Sequence, residues 1–391
     1  MKAKQNWKEI SLITASAVLT ALSFLFPALS WLAYISLVPV FLLLFWSKKK
    51  NKTLFFYGWL FGTLLYLAVL HWLLQLHPLD FLDFSKPVSF LIVFTGWILI
   101  SLFEGLFHGF FFLLFRRLSL GDWRDIFTLS FLWILMEWAQ GLGILGFPFC
   151  RLSLTQYQNL PFIQSASLFG AFFLSFLLVF CSASAAFFLT NLRKGKKKIL
   201  AGALALCLLN NCYGIIQINK ASEPAGTLKI ALIQGNISSN QKWADNTASA
   251  IFQTYEALTK QVLEAEQPDL VIWPETVLPL DLNDTSYLEK LQNTASDFQT
   301  PLIVGGFYYD SQEKKDYNGV YYIQSDGMVS FPMYAKRKLV PFGEFLPFRN
   351  VLGKLFPVLK DINAAGSDLE PGRESVTTPL TSLGTFGSLV C

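Results

Sequence analysis

A chain of 391 residues that is 53% hydrophobic and 16% aromatic carries more apolar surface than one ordinary soluble fold can bury, and nearly all of it precedes residue 220. Only seven of the 27 acidic residues fall in residues 1–220 (Glu9, Asp80, Asp83, Glu104, Asp122, Asp125 and Glu137), so an apolar half is followed by a polar one. The net charge of +4 is small and its bases sit at the edges of apolar runs, which points to lipid headgroups and gives no support to nucleic-acid binding.

The first apolar stretch follows Lys2, Lys4 and Lys8. No small-residue cleavage site comes after it and further apolar runs do, so it reads as a retained helix rather than a signal peptide. Runs long enough to cross ~30 Å of hydrocarbon occur near residues 9–27, 31–47, 54–75, 88–115, 126–145, 162–191 and 198–216, giving about seven helices over residues 1–220. Lys and Arg resist translocation, and their clusters alternate along the chain. Lys2, Lys4 and Lys8, then Lys48–Lys50 and Lys52, then Arg116, Arg117 and Arg124, then Arg193, Lys194 and Lys196–Lys198 fall on one side, against Lys86 and Arg151 on the other. That bias places the N-terminus in the cytoplasm and, with an odd number of spans, residues 221–391 outside it. Within the spans Glu104 and His108 share a helix face four residues apart, and Glu137 stands in an otherwise apolar run. Ionisable groups in lipid are costly and so are functional candidates, although for Glu104 and His108 an interhelical hydrogen bond is the simpler expectation. The segment from Gly146-Phe147-Pro148-Phe149 to Tyr157 faces outward, as either a roof over a substrate site or a plain connection.

From Leu228 the pattern becomes α/β. Residues 229–234 read as a buried strand, 245–266 as a helix, 269–273 as a second strand, 286–298 as a helix and 301–307 as a third strand ending at Gly305-Gly306. Residues 318–325 and 328–335 form a hairpin turning at Asp326-Gly327, and 387–391 read as an entering strand. Residues 342–359 interleave Phe345, Leu346, Phe348, Val351, Leu352, Leu355, Phe356 and Leu359 with Arg349, Lys354 and Lys360, the composition of an arm that dips into lipid headgroups; an ordinary core helix and loop is the alternative.

The chain's three histidines, His71, His77 and His108, all precede the polar half, which excludes there a Ser-His-Asp or Cys-His arrangement and a histidine-ligated metal. Five cysteines without repeated C-x-x-C spacing argue against a zinc site or a disulfide framework, and nothing calls for a cofactor. The only cysteine of the polar half is Cys391, and its thiol needs a carboxylate or a lysine as its helper. Two stand out: Glu275, directly after a buried strand in Trp273-Pro274-Glu275-Thr276, and Lys336, after the hairpin. Each alone is a weak signal, since a Glu at a strand end is most often solvated and a Lys after a hairpin is usually a surface charge.

Together, Glu275, Lys336 ahead of Leu339-Val340-Pro341-Phe342-Gly343-Glu344, and Cys391 resemble the Glu-Lys-Cys triad of the nitrilase, or carbon-nitrogen hydrolase, superfamily. The membrane-spanning family with the K-x-x-L-V-P-F-G-E run is that of the apolipoprotein N-acyltransferases. Gln234-Gly235-Asn236 with Lys242-Trp243, and the stretch from Glu137 to Pro148, are similar to further segments of it. The resemblance implies a multi-pass α-helical membrane domain followed by an α/β, nitrilase-like αββα sandwich, in a bacterial cytoplasmic (inner) membrane with the catalytic domain on the periplasmic side. It implies that Cys391 attacks a phospholipid ester to give a thioester, and that the acyl chain passes to the N-terminal amine of a diacylglyceryl-modified apolipoprotein. Glu275 is then the general base, Lys336 the oxyanion stabiliser, Glu344 a support and Trp243 a substrate-side residue; a fixed cation also favours the thiolate. The family's pattern continues past the nucleophile with Tyr-Glu, more of the sandwich and a last membrane helix, so the α/β domain is expected to be incomplete here. Two alternatives stay open: a membrane-anchored amidase or nitrilase-type hydrolase that passes the acyl group to water, and a catalytically inactive truncated fragment.

Overall fold

The computed structural model describes residues 2–79, 84–190, 197–220, 226–244, 246–283, 286–330, 334–355, 368–373, 377–379 and 385–390. Cys391, Arg193, Lys194, Lys196 and the 356–359 end of the expected lipid arm lie outside them. The chain divides into two compact units, one within residues 1–223 and one within 224–391.

The first unit is helical: α1 (Lys2–Leu25), a 3-10 segment (Pro27–Tyr34), α2 (Val38–Trp46), α3 (Asn51–Val69) with a 3-10 extension to Leu76, α4 (Lys86–Leu118), α5 (Asp125–Gln140), the short α6 (Leu160–Ile163) and α7 (Ala166–Phe169), α8 (Ala171–Thr190) and α9 (Lys197–Asn219). Six stretches among the described residues are long and apolar enough to cross a bilayer: Trp7–Leu25, Pro27–Trp46, Asn51–Leu76, Lys86–Leu118, Ala171–Thr190 and Lys197–Asn219. The expected span at 126–145 forms the 16-residue α5, which at 1.5 Å per residue is about 24 Å long. Gly141, Gly143 (φ +71°) and Gly146 stop it, and the chain folds back along its end, with Phe147 N–H donating to Gln140 O at 2.8 Å.

Non-helical backbone at membrane depth survives only where protein groups satisfy it. Glu137, fully buried, does this for the fold-back. Its Oε1 accepts the Leu152 N–H and the Trp133 Nε1–H, both at 2.8 Å. Ser175 Oγ accepts the Ser153 N–H, and Gln156 donates to Ser30 O. Glu104 does not pair with the His108 side chain. Its Oε2 accepts a hydrogen bond from Gln140 Nε2 at 2.9 Å, which ties α4 to α5, and the same amide donates to Tyr66 OH on α3. His108 Nδ1 lies 3.3 Å from Glu104 O on its own helix. The ring is wedged edge-on among Phe61, Tyr66 and Trp133, which keeps it off the Glu104 carboxylate.

Helices α3 and α4 approach closely because each carries two glycines four residues apart on the contact face. A Cβ on Gly58 would lie 2.3 Å from His108 O, on Gly62 2.6 Å from His108 Nδ1, on Gly105 2.4 Å from Thr63 Oγ1 and on Gly109 2.8 Å from the Phe55 ring. Where lipid is as apolar as a side chain, such small-residue faces provide the packing that joins helices. Helix α8 is buried along most of its length, with Ser182, Ala183 and Ala186 fully enclosed in the core.

The second unit contains β1 (Ile230–Leu232), α10 (Ser239–Lys242), α11 (Ala248–Glu266), β2 (Leu270–Ile272), α12 (Ser286–Asp297), β3 (Leu302–Asp310), β4 (Lys315–Ile323), β5 (Tyr334–Ala335), α13 (Arg349–Leu355), β6 (Thr377–Pro379) and β7 (Thr385–Gly387). Strands β1 to β5 form one sheet in chain order, with β1, β2 and β3 parallel and β4 and β5 antiparallel to their neighbours. The strand period of two sorts the faces. Val271, Trp273, Leu302, Val304, Tyr321 and Ile323 meet the apolar sides of α11 and α12, while Leu270, Ile303 and Tyr322 lie on the other face with Phe386.

The longest hairpin, β3 to β4, turns at Ser311–Lys314, and both of its strands extend further toward the turn than the sequence reading of 301–307 and 318–325. β3 runs on to Asp310, and Asp310 Oδ1 accepts the Gln312 and Glu313 N–H groups that close the turn. The turn at Asp326-Gly327 forms as expected, with Gly327 at φ +82°. The strand expected over 387–391 differs: β7 pairs with β6 and ends at Gly387, and residues 388–390 take no strand partner among the described residues.

Gly62→Leu is expected to force α3 and α4 apart at an overpacking cost of about 1–3 kcal/mol, lowering the unfolding temperature of the protein in nanodiscs. Gly96→Leu, on α4 where a Cβ meets nothing within 4 Å, is the control and should leave that temperature in place.

Candidate active site

Loops that leave the C-terminal ends of parallel strands are where α/β sheets build sites, and this sheet gathers its charged side chains there. β2 ends at Ile272. Trp273 is buried, held by its backbone N–H to Ile303 O and by its indole N–H to Thr259 Oγ1 at 2.8 Å. Pro274 then stops the strand and Glu275 follows. The turn needs Thr276 at φ +48°, a region that costs a β-branched residue energy, and it packs against Gly305 of β3. A Cβ on Gly305 would stand 2.5 Å from Pro274 O and 2.6 Å from the Glu275 Cα, so only glycine leaves room for the segment that presents Glu275.

Lys336 follows β5. Its backbone N–H donates to Asn318 O at 2.7 Å and its carbonyl accepts the Gly372 N–H at 2.9 Å, so the residue is pinned on both sides. Glu344 sits in a tight loop made by Val340-Pro341-Phe342-Gly343. Phe342 is at φ +65°, Glu344 N–H returns to Val340 O, and Glu344 Oε2 accepts the Val340 N–H at 2.8 Å. The carboxylate thus shapes its own loop with one oxygen and leaves the other for the site.

Lys336 Nζ lies 3.0 Å from Glu275 Oε1 and 2.9 Å from Glu344 Oε1. Asn318, on β4, donates through Nδ2 to those same two oxygens, at 2.7 Å and 2.9 Å. Its Oδ1 accepts from Thr276 Oγ1 at 3.1 Å. Two anionic oxygens therefore share one cation and one amide. The Lys336 side chain is 2% exposed, Glu344 15% and Glu275 37%, so Glu275 is the member that an incoming group reaches. Burial alone would push the Lys336 ammonium down, but Glu344 and Glu275 together hold it above the ordinary lysine range.

Trp243 follows α10, and its ring lies 6.4 Å from that of Phe307, the β3 residue opposite Asn318 in the strand register. Leu339, Phe345 and Leu369 complete an apolar cluster around Phe307. The structure therefore brings together Glu275, Lys336 and Glu344 and places Trp243 alongside them through Phe307. Cys391 lies outside the described residues. Asn318 and Thr276 were not singled out from the sequence. The available signal was an asparagine inside the otherwise aromatic and apolar strand Tyr317-Asn318-Gly319-Val320-Tyr321, where a buried amide must find partners.

A membrane unit followed by a sheet that carries a Glu-Lys-Glu cluster at its strand ends defines a membrane-bound protein of the carbon-nitrogen hydrolase class. Residues 229–391 match the carbon-nitrogen hydrolase family, and residues 16–184 match the apolipoprotein N-acyltransferase N-terminal domain. The chain is 30% identical over 388 residues to the apolipoprotein N-acyltransferase of Geobacter metallireducens, covering 96% of this chain and 71% of that one. It is 27% identical to that of Coxiella burnetii, covering 94% and 73%. The chain belongs to the apolipoprotein N-acyltransferase family, multi-pass membrane acyltransferases of the carbon-nitrogen hydrolase superfamily.

Removing Lys336 leaves two facing carboxylates without their cation. Lys336→Met is expected to cost about 3–5 kcal/mol of stability in the α/β unit, the usual penalty for breaking one side of a buried pair. Because the folded-state pKa of Lys336 is raised, its contribution is complete below the unfolded lysine value of about 10.4 and fades as pH rises through the folded value. Denaturant unfolding at pH 8 and at pH 11 checks this: the wild type should lose stability between the two, and K336M should lose less.

Proposed function

We propose that this chain carries the donor half-reaction and acceptor half-reaction of a phospholipid-dependent N-acyltransferase, with Cys391 as nucleophile, Glu275 as general base and Lys336 as oxyanion stabiliser. The Cys391 thiol passes its proton to Glu275 and its sulfur attacks an acyl ester carbonyl of a phospholipid. The tetrahedral oxyanion is met by the Lys336 ammonium, and collapse expels the glycerol oxygen, which takes the proton back from Glu275. The products are a thioester and a lysophospholipid. In the second half the free α-amine of a diacylglyceryl-modified lipoprotein attacks the thioester, Glu275 takes the amine proton, and the thiol is regenerated as the amide forms.

The observation that carries this reading is the cluster itself, in which one buried ammonium serves two carboxylates and the more exposed carboxylate follows directly after a strand. Glu344 and Asn318 have supporting parts. Glu344 holds Lys336, and Asn318 hydrogen-bonds both carboxylates, so the cation is already positioned when charge develops on the substrate oxygen. Lipid access is supported by exposed apolar side chains in and just after the loop that carries Glu344. Val340, Phe342, Phe348 and Val351 are all solvent-facing beside Arg349, whose guanidinium is held by Asp368. Such a surface suits the headgroup region of a bilayer.

The charge asymmetry of the loops supports an N-terminus in the cytoplasm and an α/β unit on the opposite, periplasmic side. A membrane-impermeant maleimide tests it in intact cells: a cysteine introduced at Gln158 should label and one introduced at Lys50 should not, in a background lacking the native cysteines.

For the chemistry, the protein in nanodiscs is incubated with a phospholipid whose ester-linked acyl chain carries an alkyne. A hydroxylamine-labile acyl adduct on Cys391 is expected in the wild type, none in Cys391→Ser, and a rate lowered by about 10²–10⁴ in Glu275→Gln, the usual contribution of a general base. Free fatty acid without acylated peptide, in the presence of a diacylglyceryl-cysteine peptide, would instead mark a hydrolase. No adduct under any condition overturns the activity of this chain.

A further inference from the structure

The electrostatics of the site leave a phospholipid donor with a problem. A phosphodiester brought beside Glu275 and Glu344 meets two carboxylates, and the one ammonium between them is already committed to both. At short range in a partly dehydrated site that repulsion is large unless a second cation offsets it. One such cation is present. Lys242 ends α10 in the connection after β1, and Glu275 follows β2, the parallel neighbour of β1. The two connections leave the same edge of the sheet.

Lys242 differs from Lys315 and Lys336, the other described lysines of this unit that are at least partly buried; Lys290, Lys314 and Lys354 also have no ion pair among the described residues, but they are exposed. Lys229, Lys260 and Lys315 each sit within ion-pair distance of a glutamate, and Lys336 has two. Among the described residues no carboxylate lies within that distance of Lys242. Its ammonium instead stands 5.3 Å from the centre of the Trp243 ring, a weak partner next to an anion. It is half-buried, and that burial pushes it below the ordinary lysine range, with the Glu275 charge close enough to oppose the shift. A desolvated ammonium without a fixed counter-ion is kept this way at a cost in stability, and an anionic ligand would supply what it lacks. The adjoining surface is apolar: Trp243 leads to Phe307 and Phe345.

We propose that Lys242 is the phosphate-binding residue of the acyl-donor site, holding the phosphodiester of the phospholipid while Trp243 and Phe307 border its apolar part. The assignment rests on the acyl-transfer reading above. It makes Lys242 the group that separates a phospholipid from a diacylglycerol with the same acyl chains, and one charge-assisted hydrogen bond sets the scale of that preference at roughly tenfold or more.

The test compares phosphatidylglycerol and diacylglycerol of identical acyl composition as donors to Cys391, using the full chain in nanodiscs. The ratio of kcat/KM for the two donors should fall about tenfold in Lys242→Met, through KM rather than kcat, and recover in Lys242→Arg. An unchanged ratio, or an equal loss on both donors, overturns the assignment. Direct binding keeps the question separate from turnover. Calorimetric titration with dihexanoyl phosphatidylglycerol should show about tenfold weaker binding to K242M, with dihexanoyl glycerol binding alike to both proteins. Inorganic phosphate that binds as tightly as the lipid would mean a free-anion site and would overturn the lipid assignment. If the wild type forms no thioester with either donor, the acyl-transfer reading fails while the titration still decides what Lys242 binds.

Discussion

A lysine ammonium buried to 2% exposure would be untenable in a protein interior if it stood alone. Here it is held by Glu275 and Glu344, and Asn318 hydrogen-bonds the same two oxygens. Much of the α/β unit is arranged to make that contact. Gly305 has no side chain so that the Glu275 turn can pack on β3, Lys336 is fixed by the backbones of Asn318 and Gly372, and the loop carrying Glu344 is closed by the opposite oxygen of the same carboxylate. The cluster is thus a structural clamp and, under the acyl-transfer mechanism proposed above, a set of charges placed in advance where the transition state becomes anionic. Electrostatic preorganisation of this kind needs no rearrangement when charge develops.

The membrane unit meets the same physical requirement with different groups. Glu104 shares the Gln140 amide with Tyr66, so one side chain joins α3, α4 and α5. Glu137 accepts from the backbone of the fold-back segment, which would otherwise bring unpaired N–H groups to membrane depth. These acids therefore have structural work to explain them. The close approach of α3 and α4 supplies the packing between them that hydrophobicity cannot supply in lipid, through glycines facing one another across the contact.

Much of this was readable in advance because it depends on short-range pattern. The alternation of apolar runs with basic clusters gives the helical half, and alternating strands and helices give the α/β half. Glu275 and Lys336 stood out through their settings after a strand and after a hairpin. What was harder to read shares one cause. Asn318 looks like any polar residue in a strand until β3 and β4 pair and Phe307 comes opposite to it. Strands β3 and β4 were read too short beside their turn because Tyr308, Tyr309 and Asp310 carry no strand period by themselves; they are extended because nine residues of β4 pair with them and their neighbours. The interhelical hydrogen bond expected for Glu104 forms, but its partner, Gln140, lies 36 residues away on another helix, where no local spacing points to it.

The sequence by itself therefore determined the division into an apolar and a polar half, the class of chemistry open to a domain without histidine, and the acids and bases proposed for it. Only the tertiary structure decided which oxygen meets which nitrogen: that both carboxylates share Lys336, that Asn318 braces them, and that Lys242 stands beside Trp243 without a carboxylate partner among the described residues. The physical reason is range. Hydropathy and strand or helix period act between residues a few positions apart, whereas hydrogen bonds and ion pairs act within about 3–4 Å in space, between groups that only the folded chain brings together.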